Sequence, residues 1–122
     1  MTMLKIVKTF PSTSAIEANR LVTLANTGEV STAPDELAPI FGVTEFGGTE
    51  AGDNLSIAIA GPSIMVELGE ALSAGDYVTA GADGKAKAAV MGKYKAGRIL
   101  ESGIDGDLVQ IMLQDALHDV PA

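Results

Sequence analysis

Three aspartates, Asp53, Asp76 and Asp107, each follow a glycine and precede an apolar run. Grouped carboxylates of this kind are what a calcium site or an acid–base pair is built from. A calcium loop needs oxygen ligands at alternating positions, and no such run surrounds any of the three. A short carboxylate at the entrance of a strand can instead accept backbone N–H groups from the turn before it. The expectation is that Asp53, Asp76 and Asp107 stabilise separate turns. The single histidine, His118, stands beside Asp119 near the C-terminus, and a Ser-His-Asp site would require that end to be held at hydrogen-bond distance from a serine. Gly61-Pro62-Ser63-Ile64-Met65 lacks the second glycine of a nucleophile elbow, and no glycine-rich run leads into the Lys-Ser or Lys-Thr of a phosphate loop. With no cysteine among 122 residues, thiolate ligands, disulfides and a cysteine nucleophile are excluded. The expectation is a chain that is not an enzyme and needs no metal or cofactor.

Charge points to the class of partner. The formal net charge is -8, which disfavours direct binding to nucleic acid or to an anionic membrane and leaves protein as the expected partner. Beyond the first twenty residues, every basic side chain lies in one stretch: Lys85, Lys87, Lys93, Lys95 and Arg98. That stretch is either a solvated hairpin edge guarded by lysines or a patch facing an acidic neighbour. Nothing resembles a run of about 18 apolar residues or a signal-peptide core, so a soluble, unexported chain is expected. A different class, a small-molecule or polysaccharide-binding β-domain, would need an aromatic-lined concave face. Only Phe10, Phe41, Phe46, Tyr77 and Tyr94 are available to form one.

The elements that position these residues come in two diverged copies. Leu21-Val22-Thr23, a turn with Gly28, Phe41-Gly42-Val43-Thr44-Glu45 and Gly52-Asp53-Asn54-Leu55-Ser56-Ile57-Ala58-Ile59 make the first. Tyr77-Val78-Thr79, a turn with Gly84, Ala96-Gly97-Arg98-Ile99-Leu100-Glu101 and Gly106-Asp107-Leu108-Val109-Gln110-Ile111-Met112-Leu113 make the second, about 55 residues on. Leu55, Ile57 and Ile59 alternate with smaller or polar residues, as do Val109, Ile111 and Leu113, which is the period of a strand with one buried face. Ile64, Val66 and Leu68 repeat the pattern between the copies. Many short strands separated by Gly-, Asn- and Asp-containing turns predict a small all-β domain, a barrel or a β-tulip-like fold. Its pseudo-repeats span about 20–59 and 75–113 within a domain of 17–113. Thr32 to Ala38 is read as one helical turn at best, because Pro39 follows at once. Lys87 to Tyr94 is read as loop or strand. Residues 1–16 hold a strand with a polar linker, and 114–122 form an acidic tail. Met3, Leu4, Lys5, Ile6, Val7, Lys8, Thr9 and Phe10 are either an arm that adds to the edge of another sheet or the first strand of their own domain.

The run Leu68-Gly69-Glu70-Ala71-Leu72-Ser73-Ala74-Gly75-Asp76-Tyr77-Val78-Thr79, followed by Asp83-Gly84-Lys85-Ala86 and by Gly97-Arg98-Ile99-Leu100-Glu101 with Gly106-Asp107-Leu108-Val109, resembles the capsid cement, or head decoration, family of tailed phages. The likeness covers roughly residues 20 to 113. Ile99 stands where the family pattern usually has alanine, and residues 1–16 match no part of it. The resemblance implies an all-β protein made in the host cytoplasm and carried on the outer surface of the capsid. Its implied partners are the major capsid protein and further copies of itself, often as a trimer. Its implied role is to stabilise the assembled head by bridging capsid subunits. Apart from the resemblance, Met3 to Phe10, read as an arm, are the expected capsid or partner contact.

Overall fold

A computed structural model describes residues 5–35, 37–48, 50–61, 63–89 and 96–113. Ten strands follow in chain order: β1 (Ile6–Pro11), β2 (Leu21–Leu24), β3 (Val30–Thr32), β4 (Gly42–Thr44), β5 (Asn54–Ala60), β6 (Ile64–Glu67), β7 (Tyr77–Ala80), β8 (Ala86–Ala88), β9 (Gly97–Ile99) and β10 (Leu108–Leu113). They form two five-stranded sheets in the orders β1-β5-β4-β2-β3 and β6-β10-β9-β7-β8, with every strand pair antiparallel. The second order is the first shifted by five strands, so the repeat in the sequence is a repeat of topology. It is wider than the sequence blocks suggest. β1 holds in repeat 1 the place that β6 holds in repeat 2, and the repeats run from Ile6 to Ala60 and from Ile64 to Leu113.

The chain is all-β, as expected; of the two forms expected, a barrel or a β-tulip-like fold, the closed barrel does not form. Each sheet curls until its first edge meets its last at a single parallel bridge, Ser12 to Val30 in repeat 1 and Leu68 to Ala86 in repeat 2. Closure needs a continuous ladder of bonds around the sheet, and β3 and β8, three residues each, supply only that one bridge. The Thr32–Ala38 stretch is not helical among its described residues. The Asp35 carboxylate accepts the Leu37 N–H at 2.9 Å and the Asp35 carbonyl accepts that of Ala38 at 3.3 Å, which makes a bend. In the Lys87–Tyr94 stretch, read as loop or strand, Lys87 and Ala88 belong to β8, and residues 90–94 lie outside the described residues.

Alternation along the strands builds a core inside each curl. Ile16, Val22, Val30, Leu55 and Ile57 cluster in repeat 1, and the matching positions Leu72, Val78, Ala86, Val109 and Ile111 are buried together in repeat 2. Sheet 1 is buried on its other face as well. Leu21, Val43 and Ala58 join the core of repeat 2, which is why strand β2 shows two consecutive residues, Leu21 and Val22, both shut off from water.

Candidate functional site

The three aspartates occupy three turns of one design. In each, the Asp carboxylate accepts the N–H of the residue three positions earlier: Glu50 to Asp53 at 3.1 Å, Ser73 to Asp76 at 2.9 Å and Ile104 to Asp107 at 2.9 Å. The carbonyls of Glu50, Ser73 and Ile104 accept the Asp N–H in return. The glycine between takes a φ near +90° at Gly52, Gly75 and Gly106, a conformation an L side chain resists. The carboxylates are spent on local backbone, at separate corners. Asp107→Ala should therefore cost about 1 kcal/mol in urea unfolding, and Asp107→Asn, which keeps an acceptor oxygen, should recover most of it.

The fourth corner departs from the pattern, and the departure makes the main charge cluster. Where repeat 2 has Gly75-Asp76, repeat 1 has Asn19-Arg20. Asn19 keeps the left-handed backbone, with φ 62°, while Arg20 turns to the other repeat. Its guanidinium pairs with Glu17 at 2.5 Å and with Glu67 of β6 at 3.4 Å, and donates to the Asp83 carbonyl at 3.1 Å. Lys85 completes the chain by pairing with Glu67 at 3.3 Å. The Glu67 N–H donates to the Asn19 carbonyl at 3.0 Å. This cluster ties the repeats together, and its Glu17, Arg20, Asp83 and Lys85 line an open cleft of about 420 Å³ with Ala15 and Thr32. Sequence reading passed over Arg20 and Glu67. The available signal was the break in the repeat at 19–20, visible only when the repeat is extended upstream of Leu21.

The described members of the basic stretch are Lys85, Lys87 and Arg98. Lys85 belongs to the junction cluster. Lys87 lies on β8 opposite Thr79. Arg98 lies on the outer face of sheet 2, its guanidinium 4.9 Å from the centre of the Tyr77 ring and its Nε donating to the Gly75 carbonyl at 3.1 Å. Lys93 and Lys95 lie outside the described residues, as do Met3, Leu4, Tyr94 and His118.

The N-terminal residues form an edge. β1 pairs with β5 from Ile6 opposite Ala60 to Pro11 opposite Asn54. Lys5 pairs with Glu45 at 2.6 Å, Ile6, Val7, Lys8 and Thr9 are exposed, and Phe10 packs edge-on against Phe41 with ring centres 5.0 Å apart. The described aromatics are thus divided: Phe10 with Phe41, Tyr77 under Arg98, and Phe46 exposed in the β4–β5 connection. They do not line one concave face.

The model of a family described as phage cement protein matches residues 3–113. Among solved structures, the N base of the head fiber gp8.5 of bacteriophage phi29 is similar, with a TM-score of 0.71 and 22% identity over 91% of this chain and 95% of that one. At that identity the likeness is one of fold. No curated protein matches the chain in sequence.

Proposed function

The chain belongs to the phage cement protein family, and from that premise we propose that it decorates the outside of the assembled head and stabilises it by bridging major capsid protein subunits. The observation that carries this reading is the span of the family match, which takes in both repeats from residue 3 to residue 113. The head-fiber base of phi29, a phage head protein of the same fold, supports it.

The physics of the task suits the molecule. A cement needs only modest affinity at each contact, because an oligomer that touches several subunits converts its later contacts into intramolecular ones. Binding the shell in preference to free subunits then stabilises the shell by mass action. Two small cores joined through buried Leu21, Val43 and Ala58 make a stiff body for that purpose. The chain acts as a homo-oligomer, a trimer in this reading, on the outer surface of the virion. Its contact with the shell includes the exposed residues of β1, Ile6 to Thr9, together with Met3 and Leu4 before them.

The test is direct. Heads assembled without this chain are incubated with the purified protein and sedimented, and the protein should enter the pellet to a fixed, saturable ratio.

A further inference from the structure

The turn that carries Asp83, Gly84 and Lys85 has a twin in repeat 1, closed by the same backbone bonds. Gly81 donates its N–H to the Lys85 carbonyl at 2.7 Å and Gly84 donates to the Gly81 carbonyl at 3.3 Å; in the twin, Ala25 donates to Glu29 and Gly28 to Ala25, both at 2.9 Å. Gly84 has φ +72° and Gly28 φ +89°, so each turn needs a glycine for its own geometry.

Their surroundings differ. A Cβ on Gly28 would meet nothing within 4 Å. Gly84 is buried, and a Cβ there would stand 2.6 Å from the Leu21 carbonyl oxygen and 2.9 Å from Thr32 Cγ2, both in repeat 1. The Leu21 carbonyl has no room to retreat, because it accepts the Ala33 N–H at 2.9 Å and β2 is held between β3 and β4. On one side of Gly84 the Asp83 carbonyl accepts the Arg20 guanidinium; on the other Lys85 pairs with Glu67, which itself pairs with Arg20. The turn of repeat 2 is therefore seated on the backbone of repeat 1, and its twin makes no such contact.

We propose that the Asp83-Gly84-Lys85 turn is an orienting latch that fixes the angle between the two repeats. Burial of Leu21, Val43 and Ala58 against repeat 2 supplies attraction, but apolar contact is non-directional and by itself lets two packed curls swivel over one another. The close seat at Gly84 and the hydrogen bond from Arg20 are directional and select one orientation. That orientation sets the spacing of the surfaces the two repeats present, and simultaneous contacts are lost when spacing is wrong. The latch acts through backbone: Arg20 bonds the Asp83 carbonyl, not its carboxylate. This inference goes beyond the cement reading and does not depend on it.

Amide hydrogen exchange on the full chain tests it. The reporter is the Glu67 N–H, bonded to the Asn19 carbonyl at 3.0 Å across the junction. The controls are the Ser12 N–H, bonded to the Asp53 carbonyl inside repeat 1, and the Leu68 N–H, bonded to the Asp107 carbonyl inside repeat 2. Gly84→Ala should speed exchange at Glu67 by about tenfold or more over Gly28→Ala, as overpacking against fixed backbone implies, with the two variants alike at the controls. Asp83→Asn keeps the carbonyl and suits the left-handed φ of 59°, so it should match the wild type. Lys85→Met removes the Glu67 pair without crowding and should speed the reporter by a smaller factor; it decides the matter when Gly84→Ala does not fold, and an unchanged reporter then overturns the proposal. Equal exchange at Glu67 in Gly84→Ala and Gly28→Ala also overturns it. So does a rise shared by Ser12 and Leu68, which marks general destabilisation, or an Asp83→Asn effect as large as that of Gly84→Ala, which would assign the turn's role to its carboxylate.

Discussion

Gly97→Ala is expected to destabilise the domain by about 3 kcal/mol, at the upper end of what overpacking costs. Gly97 lies on β9 directly against β10, and a Cβ there would fall inside the contact radius of the Met112 carbonyl oxygen. The obstacle is backbone, held by the β9–β10 ladder, so no rotamer change can relieve it. The counterpart in repeat 1 behaves alike: a Cβ on Gly42 would stand 2.6 Å from the Ala58 carbonyl oxygen. Gly106→Ala is the control. That glycine has φ +92° and open space around it, so its replacement meets only the left-handed backbone penalty of about 1–2 kcal/mol. Urea unfolding of the two variants should rank Gly97→Ala as clearly the worse. Equal midpoints would mean that β9 and β10 are not so closely apposed.

Arg20→Met should cost about 2 kcal/mol. A buried pair broken by removing one partner usually costs about 3–5 kcal/mol. Here one of the two carboxylates, Glu17, is 76% exposed, and water replaces much of what it loses. Glu67 is less accessible, retains Lys85 as a partner, and sits across the junction between the repeats. The Asp83 carbonyl also loses its guanidinium donor. Because methionine keeps the aliphatic bulk, the loss measured is chiefly that of charge and hydrogen bonds. A double-mutant cycle with Glu67→Gln should give a coupling of about 1 kcal/mol. Strict additivity would show that the Arg20–Glu67 pair does not join the repeats.

The repeat and the strands were legible in the sequence because period-two alternation and turn chemistry are local signals. Leu55, Ile57, Val109 and Ile111 are buried by the alternation that marks them, and Gly52 and Gly106 have the positive φ their turns need. What joins the repeats was not legible. Leu21 and Tyr77 are equivalent positions, yet one is fully buried and the other half exposed, a difference set by which repeat lies on which face. The barrel expectation erred for a related reason. Strand count and spacing indicate curvature, whereas closure depends on whether three-residue edges such as β3 and β8 can sustain a ladder. Arg20 was passed over because a single arginine in a loop carries no periodic signal. Only its position as the counterpart of Asp76 distinguishes it.

Binding to heads decides the function most directly. With expanded heads lacking this chain and the purified wild-type protein, sedimentation should show saturable binding, little or none to immature shells, and a higher rupture temperature for the decorated heads. Protein that stays in the supernatant at concentrations well above those that saturate its self-association would contradict the cement reading.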